Sequence, residues 1–333
     1  MSARTRRIGW ALLPIVGTAA VLFVLPSIWF GDSPYTISLA VQALVFAAYG
    51  VGFNLIFGST NQLFLCVGAL AGIGGYGAVI LVDETPLPIG AGIVVGTACA
   101  ALVGGLLSWI AVRRSLGIIF TGIVTLVFSL AFANLLLGQR ELTGSETGLV
   151  VTSGADRLGD DQAGGYYFFA GLLVLFLVLF RALQLSHVGW AFRALRDDEV
   201  AAELAGVDVA RYRIYAATLG SAMIGLTGAL LAYSAGFISP ATYSFERVDV
   251  RVLVLVAFGG LGTLLGPVIG AGVFAILDEQ LATSLELREV LYGVFVLAIF
   301  LFFRHGVVSA VASLFDRVLA RLRGKPALQP SGD

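Results

Sequence analysis

The chain has 333 residues, 58% of them hydrophobic and 12% charged, with a formal net charge of -1. A soluble domain of this length carries about twice that charged fraction and needs polar cover for its surface, so the composition argues against one. Lipid is the solvent it calls for, and the 42 glycines suit closely packed transmembrane helices.

A span takes about 20 apolar residues. The chain opens on Arg4, Arg6 and Arg7 and then runs apolar from Ile8 to Phe30. That run is too long for a signal peptide, and no small-residue cleavage site follows Trp29-Phe30-Gly31, so it reads as an uncleaved first span, 8–30. Further spans are expected at 36–57, 64–82, 89–112, 118–137, 166–185, 214–235 and 290–303. Residues 251–277 form one apolar stretch, too long for an upright helix and interrupted by Gly259, Gly260, Gly262, Gly266 and Pro267.

Charge placement resolves that stretch. Cytosolic loops carry the Lys and Arg. With the N-terminus inside, the inside segments hold Arg113, Arg114, Arg193, Arg196, Arg211 and Arg213. The outside segments hold Asp83, Glu84, Glu141, Glu146, Asp156, Asp160 and Asp161. The tail carries Arg304, Arg317, Arg321, Arg323 and Lys325 and belongs inside too. Two inside ends need an even number of spans, so 251–277 is read as two short spans broken near Gly262. The expected fold is an all-α polytopic membrane protein of about ten transmembrane helices, with both termini cytosolic. Spans two to five and seven to ten would be related by inverted topology, a common transporter design. The glycine-rich stretches Gly68–Gly77 and Gly259–Gly270 support that repeat, and chance in a glycine-rich chain explains them equally well.

The longest charged inside segment is Gly189–Arg213, GWAFRALRDDEVAAELAGVDVARYR. Asp197 is the expected N-cap of a two-turn helix, with Asp198 and Glu199 in its first turn, where the dipole favours negative charge. Val200, Ala201, Leu204 and Ala205 recur at helical spacing, and Gly206 suits the C-terminal cap. So short a helix needs a surface to rest on, either a partner or lipid headgroups. Asp197, Asp198, Glu199 and Glu203 weigh against anionic lipid. The Gly259–Pro267 break reads either as unwound backbone guiding a polar substrate or as a tight turn between packed helices. The outside segment Gly138–Gly165 reads as a partner's landing site or as a solvated loop.

The Gly189–Arg213 loop closely resembles the cytosolic coupling loop of branched-chain amino acid ABC importer permeases, the Liv type, with its GRALRAIRDDEIAAEALGI-like stretch. The resemblance continues through Ile238-Ser239-Pro240 and the run Phe258–Pro267. Upstream it takes in Gly52–Gly58, Gln62, Gly72–Tyr76 and Leu142–Ser145. It implies one transmembrane permease domain over 1–320, with the coupling loop at 189–213 and a short basic cytosolic tail at 321–333. It implies a multi-pass protein of the bacterial inner membrane, paired with a second related permease, two cytosolic ATPase subunits and an extracytosolic substrate-binding protein. No covalent chemistry, cofactor, metal or nucleic acid is implied. The residues expected to couple to the ATPase are Arg193, Arg196, Asp197, Asp198, Glu199, Ala201, Ala202, Glu203 and Gly206. Those expected along the translocation path are Asn54, Gln62, Gly259, Gly260, Gly262 and Thr263. Branched-chain or other neutral amino acids are the expected cargo, with urea, short amides or aromatic acids as the alternative. The chain departs from the family's GQLSLGHAAFFGIGAY-like stretch, where Phe64 and Val67 stand at the Ser and His positions.

Two other classes fit less well. An ion-driven transporter needs ionisable groups within the bilayer. Asp249, Arg251 and Asp278 are expected at span edges, with only groups such as Gln42, Asn54, Asn134 and Thr218 at span centres. An intramembrane enzyme needs a metal cluster or nucleophile–base pair, and His187 and His305 both fall at expected membrane edges. Cys66 and Cys99 have no zinc or redox spacing and are expected to be buried thiols.

Overall fold

The computed structural model describes residues 14–24, 34–151 and 162–281, together with Gly293 and Leu297. It is helical almost throughout. In chain order the helices are α1 (Pro14–Val24), α2 (Pro34–Thr60), α3 (Val67–Glu84), α4 (Ile89–Arg113), α5 (Ile118–Gly138) and the one-turn α6 (Arg140–Thr143). Then come α7 (Gln162–Leu185), α8 (His187–Asp197), α9 (Glu199–Leu204), α10 (Val209–Ala235), α11 (Asp249–Gly259) and α12 (Gly266–Leu281). Among the described residues, six helices are long and apolar enough to cross a membrane: α2, α3, α4, α5, α7 and α10. Their ends lie close to the expected spans, with α3 starting three residues later than its span. The 290–303 span apart from Gly293 and Leu297, His305, the 321–333 tail, Asp156, Asp160, Asp161 and the ends of the first span lie outside the described residues.

Small residues set the packing. On α4, Gly92, Gly96, Ala100 and Gly104 recur every fourth residue, and all are buried. Such a stripe lets backbones approach closely. A Cβ on Gly96 would collide with the Gly74 carbonyl of α3, and one on Gly225 of α10 with Ala100. Helices α3, α4 and α10 therefore form one block, against which α2 lies through Gly52 and Gly220. The outward faces of α4 and α5 carry Val94, Leu102, Ile119, Phe120 and Val127, all exposed, as lipid-facing surfaces should. Cys66 is buried, but Cys99 lies on such an outward face, correcting the expectation for that thiol.

The 251–277 stretch is two helices, broken at the glycines as expected. At 1.5 Å per residue, α11 is about 16 Å long and α12 about 24 Å. Gly260 (φ 115°) and Gly262 (φ 73°) make the turn between them. The arms cross where Gly259 meets the Gly266 backbone and Gly270 meets that of Leu255. Thr263 Oγ1 accepts the Gly266 amide at 3.1 Å, and Pro267 sits in the first turn of α12, where its missing N–H costs nothing.

The two halves of the chain share an order of elements. Helices α2 and α10 are each 27 residues long. Each is followed by a connection, non-helical at 61–66 and holding one short 3-10 turn, Pro240–Tyr243, at 236–248, and then by a helix starting in the protein interior. Part of Gly138–Gly165 is not free loop. Its strand β1 (Leu149–Val150) pairs antiparallel with β2 (Phe237–Ile238), Leu149 opposite Ile238.

Candidate coupling site

The Gly189–Arg213 segment holds two short helices, of which only the second was legible in the sequence, and the first turn of α10. Helix α8 buries Gly189, Ala191, Phe192 and Leu195 against α7 and α2. It turns Trp190 outward, with the Arg193 guanidinium 4.5 Å from the ring centroid. Arg193 Nε also donates to the Gly189 carbonyl at 3.2 Å. An exposed Trp–Arg pair on an amphipathic helix is suited to a membrane interface.

The N-cap of α9 is Asp198, whose Oδ1 accepts the Ala201 amide at 3.0 Å. Asp197, the residue expected there, ends α8 instead. Its neighbour has the extended backbone that a cap needs (φ -159°, ψ 116°). Gly206 closes the helix in a left-handed conformation (φ 83°), donating to Glu203, while the Val207 amide donates to Ala202. Glu199 makes a two-pronged ion pair with Arg213 at the foot of α10, at 2.6 and 2.8 Å. Ala202 is buried beneath the helix, whereas Ala201 and Glu203 face out. Val200 and Leu204 are 66% and 85% exposed, so α9 presents bare apolar side chains held at both ends.

The expected path residues gather at the base of this element. Asn54, 1% exposed on α2, grips the α11–α12 turn from both sides. Its amide donates to the Thr263 carbonyl at 2.8 Å, and its oxygen accepts the Gly262 amide at 2.7 Å. The Arg196 guanidinium fills the space a Cβ on Gly262 would take, and the Gly58 carbonyl closes the other side. Asn61, which ends α2 at φ 55°, donates to the Arg196 carbonyl at 3.4 Å. The structure thus joins Asn54, Gly260, Gly262, Thr263 and Arg196 in one cluster. Gly259 lies at the helix crossing. Gln62 is apart from them, buried, and accepts from Ser108 of α4 at 3.0 Å.

From Asn61 the chain runs non-helical to Cys66, so α3 begins inside the protein rather than at its edge. Its first amides, Val67 and Gly68, donate to the carboxylate of Asp249, which also accepts from Ser129 of α5 at 3.3 Å. Asp249 is 1% exposed and meets Ser129 midway along the α5 span Ile118–Gly138, so the expectation of an edge position is corrected. Three donors stand in for part of the water that burial strips from its carboxyl group. Arg251 pairs with Asp278 at 3.1 Å and lies over Phe46, 5.5 Å from the ring centroid. Phe46 stands midway along the α2 span Tyr35–Thr60, so the pair meets that helix away from either of its ends. Ionisable groups therefore do occur at depth, and their expected absence no longer separates the transporter classes. Among the described residues no cluster of metal-ligating side chains occurs.

A sequence model of the family described as "Branched-chain amino acid transport system / permease component" matches residues 35–303. The high-affinity branched-chain amino acid transport system permease protein LivM of Escherichia coli (strain K12) is 26% identical over 299 residues, covering 82% of this chain and 70% of LivM. The fructose import permease protein FrcC of Rhizobium meliloti is 25% identical over 304 residues, covering 80% of this chain and 84% of FrcC. The autoinducer 2 import system permease protein LsrC of Yersinia enterocolitica is 26% identical over 293 residues, covering 84% and 76%. No solved structure matches this chain.

Proposed function

Because this chain belongs to the permease family of branched-chain amino acid transport systems, we propose that it carries branched-chain or other neutral amino acids inward through a bacterial inner membrane. In this reading it pairs with a second related permease, takes cargo from an extracytosolic binding protein, and is driven by two cytosolic ATPase subunits. Hydrolysis belongs to those subunits, and the chain itself transmits motion. Helix α9 is the surface seated in the ATPase. The observation that carries the reading is its geometry: Val200 and Leu204 stand bare while Asp198, Gly206 and the Glu199–Arg213 pair fix the helix in place. Bare apolar side chains on so short a helix call for a partner. Motion imposed there has two routes inward. One runs through Arg213 to α10, the other through Arg196 to the α11–α12 turn.

Cargo has a second reading, favoured by the likeness to the fructose and autoinducer 2 permeases. Reconstitution of the whole transporter in proteoliposomes separates the two. Uptake of leucine that needs both ATP and the binding protein is the expected result. Uptake of fructose in place of leucine would move the cargo to the second reading. Uptake by this chain alone, driven by an ion gradient without ATP, would sink the coupling role.

A further inference from the structure

A groove between α2, α11 and α12 holds the Arg251–Asp278 pair. Gln42 of α2 is exposed at its rim, and Phe46, Leu255 and Phe274 form its apolar wall. Charged side chains at this depth are rare, and they mark routes for polar cargo. Both charges remain partly accessible, at 27% and 14% of their side-chain surface, unlike fully buried Asp249. The pair therefore differs from the carboxylate that holds the α3 terminus in place.

We propose that this groove is a substrate-contacting station on the translocation path, built for a zwitterionic α-amino acid with an apolar side chain. The proposal rests on the amino acid reading above and adds the residues that would read the cargo. Arg251 takes the α-carboxylate, since a guanidinium matches a carboxylate with two parallel hydrogen bonds. Asp278 takes the α-ammonium group, and Gln42 offers an amide to either. Phe46, Leu255 and Phe274 receive the side chain. The free space between these side chains is about 20 Å³, room for a water, so α2, α11 and α12 must part for cargo to enter. Arg251 and Asp278 stand 3.1 Å apart as an ion pair, and cargo enters by exchanging that contact for two intermolecular ones.

The test uses the complete reconstituted transporter and reads leucine moved per ATP hydrolysed. Arg251→Gln and Asp278→Asn should each assemble, hydrolyse ATP within about twofold of the unmodified complex, and move at least tenfold less leucine per ATP. The charge swap Arg251→Asp with Asp278→Arg rebuilds a pair but reverses what cargo meets, so it should behave like the single variants. A swap that restores the ratio to within twofold would make the pair purely structural and overturn the proposal, as would unchanged ratios in the single variants. Gln42→Ala and Arg251→Lys, which leave both charges in place, decide the matter even if the other variants fail to assemble. Each should lower the ratio at least threefold, and an unchanged ratio in both would overturn the proposal. An unmodified complex that carries no amino acid defeats the cargo reading itself. Normal leucine transport by unmodified and variant complexes alike defeats the groove alone.

Discussion

Replacing Asn54 by alanine should loosen the α11–α12 turn without unfolding the membrane domain. The side chain makes two hydrogen bonds, at 2.8 Å to the Thr263 carbonyl and 2.7 Å from the Gly262 amide. Alanine leaves both backbone groups without a partner. A buried orphaned group costs about 1–3 kcal/mol. Gly262 and Thr263 are only partly buried, so water recovers some of that, and the lower part of the range applies to each. The turn should therefore open more easily by about 2–3 kcal/mol in all, which is about 30- to 160-fold in an opening equilibrium. Hydrogen exchange reads this directly: the Gly262 amide should exchange faster by that factor, while amides in the middle of α10 keep their rates. Asn54→Asp keeps the acceptor for Gly262 and loses the donor to Thr263, so it should fall between. If exchange at residues 260–263 stays within threefold of the unmodified protein, Asn54 does not hold the turn.

Three further expectations follow from the packing. Combining Glu199→Ala with Gly206→Val removes the Arg213 pair and puts a β-branched residue at φ 83°, so ATP hydrolysis should continue while uptake per ATP falls at least tenfold. Import at the normal rate would end the coupling role of α9. Asp249→Ala strips the partner from two amides and the Ser129 hydroxyl, costing about 2–5 kcal/mol, whereas Asp249→Asn keeps an acceptor and should cost less. Thermal unfolding in detergent checks the order, and equal midpoints for the two variants would contradict it. Gly74→Leu drives a side chain into the Gly225 backbone and should cost about 3 kcal/mol or more, while Gly171→Ala, with open space around it, should be neutral; the same melting assay tells them apart.

The long apolar runs were legible because a helix that must cross lipid advertises itself by composition alone. The break at Gly259–Pro267 was legible too, since clustered glycines and a proline interrupt an apolar run too long for one upright helix. The cap at Gly206 came from local chemistry and stands. Its N-terminal counterpart was off by one residue, because Asp197 and Asp198 have the same propensity and only the backbone angle decides between them. Helix α8 was hidden because its buried face, Gly189, Ala191, Phe192 and Leu195, is interleaved with arginines that look like an ordinary charged loop. Asp249 was misplaced for a deeper reason. Its partners Val67 and Gly68 lie 182 and 181 residues away, and α3 begins in the interior only because residues 61–66 form no helix. No local pattern carries that. The pairing of β1 with β2 rests on two residues a side, too few to show a period.

The space beside the α-carbon of Gly262 is taken by the guanidinium of Arg196, which comes from another part of the chain. The two positions are therefore not independent in evolution, and their dependence runs one way. An arginine at 196 in this pose requires a bare residue at 262. A glycine at 262 is required by its own φ of 73°, whatever stands at 196. Among relatives that keep this turn, the glycine should therefore persist where the arginine has been lost, and the reverse combination should be missing.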